Sequence, residues 1–262
     1  MASLSVGGAV LVALLAAGCG GSPAPAAAPG AGSRATDEDA RLLAAATSEL
    51  ERGQPRAAIA LLERGLDAAD ARGERQEVVR ARLLLQLGRT HLALREGARA
   101  AEYLEQASRL NARLYGPTHT DTLDTLELLG ICADLLGDHR LAERRFRGVL
   151  EACEATGRAD TTDCLRVRVN LAVNLELQDR LEEAERAAAS AISALERADD
   201  SELLGRAVRV LAGIYQRRGD LLRAREAYTR AIGLLSPIHG ADSPEVQGLI
   251  RQRQTVEGQL EP

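Results

Sequence analysis

Lysine is absent from this 262-residue chain, and every one of its 33 basic residues is arginine. That excludes Schiff-base chemistry and the lysine of a phosphate-binding loop, since both need an ammonium on a flexible stem. Tryptophan is also absent, and Tyr103, Tyr115, Phe146, Tyr215 and Tyr228 are the only aromatic residues. A core so poor in rings must be filled by Ala, Leu and Val on elements that approach closely, which suits helix on helix better than sheet on sheet. An all-α chain is therefore expected. The net charge of −5 is modest, and arginines alternate with acids along the chain, so no basic stripe offers itself to nucleic acid. The four histidines, His91, His119, His139 and His239, have no metal-ligand spacing. No His-Glu-x-x-His or Gly-x-Ser-x-Gly pattern occurs. No catalytic residue, metal, cofactor or small-molecule substrate is expected, and the chain reads as non-enzymatic.

Long apolar runs are missing too. The longest, Val6 to Ala17, is short of the roughly 20 residues that a spanning helix needs and has the length of a signal-peptide core. It ends in Leu15-Ala16-Ala17-Gly18-Cys19, which resembles the lipobox of bacterial lipoproteins. That resemblance implies removal of residues 1–18 and acylation of Cys19, and Gly20 after it points away from retention at the inner membrane. An ordinary cleaved signal with an incidental cysteine is the other reading. Residues 19–36 are rich in Pro, Ala, Gly and Ser, a composition that buries no core and serves as a tether.

What the chain does have is a period. Ala46, Gly88, Gly130, Ala172 and Ala212 are small residues within helical stretches, separated by 42, 42, 42 and 40 positions. Twelve residues after each comes an alanine: Ala58, Ala100, Ala142, Ala184 and Ala224. Four further on stand Leu62, Leu104, Phe146, Ala188 and Tyr228. Small residues at matched places let two helices approach, and the larger one fills the wedge to the next pair. Gly53, Gly97, Gly137, Asp179 and Gly219 supply the turn between the two helices of each unit.

These residues resemble the tetratricopeptide repeat (TPR), most closely in "VLAGIYQRRGDLLRAREAYTRAIGLL". The long period and the loop "YGPTHTD" are similar to the kinesin-light-chain subclass, in which Gly116 and Pro117 end one unit and Thr120 or Asp121 caps the next helix. The resemblance implies an α-α superhelix of about five helical hairpins over 37–262. The units are placed at 38–72, 75–115, 120–156, 161–197 and 201–236, with a capping helix at 244–259 begun by Ser243 and Pro244.

By the same resemblance the first helices line a concave groove that holds a peptide or helix of a protein partner. The carried-over positions are Arg82, Leu85, Arg89 and Leu92, then Asp124, Glu127, Ile131 and Asp134. The fourth unit gives Arg166, Val169, Val173 and Glu176, with Asn170 for the peptide backbone and Asn174 nearby. The fifth gives Arg206, Arg209, Gln216 and Arg217, basic enough for an acidic segment. Alternatively these charges are merely solvated. Cys153 and Cys164 flank a turn and either form a disulfide or stay free, while Cys132 reads as a small core residue. The expected function is a scaffold or adaptor, lipid-anchored at the periplasmic face of a bacterial envelope. A soluble cytoplasmic TPR regulatory module without an anchor is the alternative.

Overall fold

The computed structural model describes residues 37–71 and 76–260, and every regular element in them is an α-helix. In chain order these are α1 (Asp37–Glu51), α2 (Pro55–Ala71), α3 (Glu77–Ala93), α4 (Gly97–Tyr115), α5 (Thr120–Leu135) and α6 (His139–Ala155). There follow α7 (Thr162–Leu177), α8 (Leu181–Ala198), α9 (Ser201–Arg217), α10 (Leu221–His239) and α11 (Pro244–Leu260). The chain divides within α6, between Arg145 and Phe146, into two compact units. The predicted signal (1–18), Cys19 and the tether (19–36) lie outside the described residues.

Within the N-terminal unit each helix from α1 to α5 packs on its neighbours in the chain, and within the C-terminal unit those from α7 to α11 do the same, as antiparallel hairpins. The two helices of a hairpin are chemically unlike. α5 buries eleven of its 16 residues, from Thr122 to Asp134, whereas α4 buries only five of its 19, at Gly97, Ala100, Leu104, Ala107 and Asn111. A helix flanked on both sides must be apolar around most of its circumference, while one with a face in water needs only a stripe. The first helices α3, α5, α7 and α9 are of the former kind, and α4, α8 and α10 are of the latter.

The period sits where the spacing predicted it. The five alanines Ala58, Ala100, Ala142, Ala184 and Ala224 are all fully buried, as are Leu104, Phe146, Ala188 and Tyr228. In the N-terminal unit Gly88 lies against Leu104: a Cβ built on it would overlap Leu104 Cγ and come within 2.6 Å of Leu104 Cδ2. The small residue is thus a condition of the approach, since nothing larger fits.

The turns close by one device. At Gly53, Arg95, Gly137, Asp179 and Gly219 the backbone takes a positive φ of 60–83°. That residue's N–H bonds back three positions and the next residue's N–H bonds back five, as in Gly137 to Asp134 and Asp138 to Ala133. This pair of bonds satisfies carbonyls that a helix end would otherwise orphan. Two expectations need correction. Arg95, and not Gly97, takes the left-handed position of its turn, and Gly97 opens α4 where an added Cβ would come within 3.2 Å of Leu135 Cβ. The cap of α5 is His119, whose Nδ1 accepts from the Asp121 N–H at 3.2 Å, and neither Thr120 nor Asp121 fills that role.

At the other Pro-x-His stretch, α10 continues through Pro237 to His239 and stops at Gly240, with φ of 85°. A proline in the last turn forfeits one backbone bond, which the following residues tolerate until glycine turns the chain. Ser243 then caps α11, its Oγ accepting from the Val246 N–H at 3.3 Å.

Candidate partner-binding surface

Charged side chains on a helix that is buried nearly all round have few places to go. In the N-terminal unit Arg89 of α3 pairs with Asp124 of α5, so two predicted binding residues satisfy each other across neighbouring first helices. Asp134 accepts from or donates to His139 Nδ1 at 2.9 Å according to protonation, which ties the end of α5 to the start of α6. Glu127 is buried, at 2% exposure, while Arg82 is exposed on α3.

The C-terminal unit repeats the arrangement. Arg166 rests on Asp163 at 3.2 Å, and Asn170 and Asn174 are both buried on α7, the latter bonded to Gln178 Nε2 at 2.8 Å. Arg217 of α9 donates to the backbone carbonyl of Glu176 and to Asp179 Oδ1 at 2.8 Å, and its Nη1 lies 3.8 Å from the Glu176 carboxylate. Arg206 bonds Glu202 at 2.8 Å, and Arg209 faces Glu245 of α11 at 3.7 Å. The side chains expected to lie open for a partner, or to be solvated, are thus largely packed between first helices. Arg82 and Arg217 keep the most exposure of the arginines at these positions.

Burial leaves an electrostatic mark. Desolvation pushes the Glu176 carboxyl from its ordinary 4.5 up to about 7, although Arg217 pulls it down. Desolvation lowers Arg209 to about 10 against the opposing pull of Glu245. The Tyr228 hydroxyl, which donates to Gln216 Oε1 at 2.9 Å, is pushed well above its usual value by burial and then by the Glu176 charge. Cys132 is pushed up to about 12, chiefly by burial, and is an inert core thiol.

Cys153 and Cys164 are joined by a disulfide, with Cα atoms 6.2 Å apart, which ties the end of α6 to the start of α7. Among the described residues no group of three or more His, Cys, Asp or Glu is placed to hold a metal ion. No helix among them is long and apolar enough to cross a membrane.

Glu202, His239 and Glu245 were not anticipated from the sequence. The signal that could have found Glu245 is its distance from Arg209 along the chain, 36 residues, beside the 35 that separate the paired Arg89 and Asp124. Opposite charges a little under one period apart fall on adjoining first helices.

Comparison with known proteins agrees with this architecture. Residues 79–155 match the family model described as tetratricopeptide repeat. No curated protein matches the chain in sequence. Among solved structures, the kinesin-light-chain TPR-like repeats of Podosopora anserina are 21% identical, over 78% of this chain and 98% of that one, with a TM-score of 0.62. BtubC (BKLC) of P. vanneervenii is 18% identical, over 78% and 83% of the two chains, with a TM-score of 0.64. A Rap protein complexed with Competence and Sporulation Factor is 17% identical, over 83% and 65%, with a TM-score of 0.66. At these identities the likeness is one of fold.

Proposed function

We propose, for a chain that carries tetratricopeptide repeats over residues 79–155, a non-enzymatic scaffold that binds a peptide or helix of a protein partner along its first helices. The observation that carries this reading is the chemistry of those helices. They are buried nearly all round, yet α5, α7 and α9 keep Glu127, Asn170, Glu176 and Arg209 where apolar residues would cost less. Strongly shifted groups on a buried face are candidates for a functional surface. The Rap protein whose structure contains a bound factor shows the same fold holding a partner.

The scaffold is lipid-anchored through Cys19 at the bacterial envelope. The apolar Val6–Ala17 segment, the lipobox-like Leu15–Cys19 and the Pro/Ala-rich 19–36 support this, and so does a disulfide, a bond that persists in oxidising compartments. Fractionation of the wild type and Cys19→Ala tests the anchor: membrane attachment lost in the variant supports it, and a cytosolic wild type refutes it. Affinity capture with the wild type and an Arg82→Glu/Arg217→Glu double variant tests the surface. Identical captured proteins would reject it.

A further inference from the structure

A helix N-terminus carries partial positive charge and favours acids in its first turn. In the N-terminal unit the second helices do the opposite: α2, α4 and α6 have no acid there, and each carries an arginine instead, Arg56, Arg99 and Arg140. Arg144 follows one turn into α6. In the C-terminal unit α8 keeps the favoured order, with Glu182 and Glu183 in its first turn and Arg197 in its last. Helix stability therefore does not account for the arginines at the three starts.

Each start follows a tight turn from the end of α1, α3 or α5, and those three helices run in the same direction, so the starts lie along one edge of the unit. Arg56, Arg140 and Arg144 are exposed and have no ion-pair or hydrogen-bond partner among the described residues. Arg99 is 71% exposed in its side chain and reaches only Glu96, at 4.0 Å. The acids of the last two turns are engaged by the protein itself: Glu96 holds His91 Nδ1 at 2.7 Å, and Asp138 accepts from the Leu141 N–H at 3.0 Å. Among these charges stands Leu136, 58% exposed and the most exposed large hydrophobic side chain among the described residues. It lies beside the start of α4, since a Cβ built on Gly97 would come within 3.5 Å of its Cγ. Leu94, one period earlier, is half-buried on the same edge.

We propose that this edge rests on an anionic membrane surface, with Leu136 dipping among the lipids and Arg99, Arg140 and Arg144 on their phosphates. An apolar side chain flanked by cations suits the boundary between acyl chains and anionic headgroups better than it suits water. Arginine fits this place because its guanidinium takes a phosphate with two parallel bonds. Each cation near such a surface contributes modestly, so the edge acts as a second signal beside a lipid chain. The proposal rests on the anchor at Cys19 in the reading above. Extended, the tether of residues 19–36 spans at most about 60 Å, against about 22 Å for the length of α1. It therefore lets the unit turn its arginine edge to the bilayer that holds Cys19.

Vesicles of phosphatidylcholine alone, and of phosphatidylcholine mixed equally with phosphatidylglycerol, test it on the full chain carrying Cys19→Ala. Its affinity in co-sedimentation is expected to rise about tenfold or more when phosphatidylglycerol is present and to fall again in high salt. Arg140→Glu/Arg144→Glu should abolish the rise, and Leu136→Asp should weaken it severalfold. An unremoved apolar N-terminus would bind both vesicles alike and respond to neither variant, so it cannot imitate this pattern. With Cys132 buried, a fluorophore attached through Leu136→Cys should be quenched by brominated lipid, and one attached through exposed Ala112→Cys, near the far end of α4, should not. Equal binding to both vesicles, binding unchanged in the double variant, or equal quenching of the two fluorophores overturns the proposal. So does a chain that binds neither vesicle, and if that chain forms a dimer that Leu136→Asp dissociates, the edge belongs to a second copy. Because Cys19→Ala carries no lipid, these outcomes are separate from the fractionation that judges the anchor.

Discussion

Replacing Glu176 by Gln should stabilise the protein above neutral pH and leave it unchanged in acid. Glu176 is 3% exposed, and burial raises its carboxyl from 4.5 in the unfolded chain to about 7 in the folded one. Below about pH 4.5 both states hold the proton and the group contributes nothing. Between there and about 7 the unfolded chain gives up the proton first, so stability falls as pH rises. Above about 7 the full difference, roughly two and a half pK units, destabilises the fold by about 3 kcal/mol. Glutamine keeps the shape and carries no charge to bury. Arg217 does not suffer from the change, because it is 38% exposed in its side chain and keeps Asp179 at 2.8 Å. Urea unfolding of both proteins between pH 4 and 8.5 measures the gap directly. The expected result is coincident curves near pH 4 and a gain for Glu176→Gln that grows to about 2–4 kcal/mol by pH 8. A variant less stable than wild type at pH 8, or a gap that does not change with pH, would refute the reasoning.

Three further outcomes follow from the packing. Gly88→Ala drives a Cβ into buried Leu104 and should cost about 1–3 kcal/mol in the same unfolding assay. Arg95 holds a φ of 60°, where a side chain is strained, so Arg95→Gly should cost nothing or raise stability by up to about 1 kcal/mol, read as a shift in thermal midpoint. Cys153→Ser opens a loop with a sequence separation of 11 and should lower stability by about 3 kcal/mol under oxidising conditions, with the difference from wild type shrinking to that of a buried hydroxyl against a thiol once dithiothreitol is present.

The repeat was legible because it is written in volume. Ala58, Ala100, Ala142, Ala184 and Ala224 recur where two backbones come closest, and close approach tolerates no other size. The turns were half legible, since glycine is only one way to reach a positive φ. Gly97 was read as a turn residue because of its type, yet it serves helix contact, while Arg95 bends the chain at the cost of strain. Pro237 shows that residue type alone does not end a helix, because a proline near a helix end removes one bond and does not by itself turn the chain. The binding surface was legible as residue types and illegible as pairs. Arg89, Glu176 and Arg209 sit at the positions expected, but whether an arginine reaches water or a carboxylate 35 residues away is decided by side-chain reach across adjoining helices.

The bond between Cys153 and Cys164 closes a ring around the segment Glu154–Asp163, most of it exposed and outside helix over residues 156–161. A protease that nicks this segment would therefore produce no fragments on a non-reducing gel. The two pieces would travel as one band until a thiol released them.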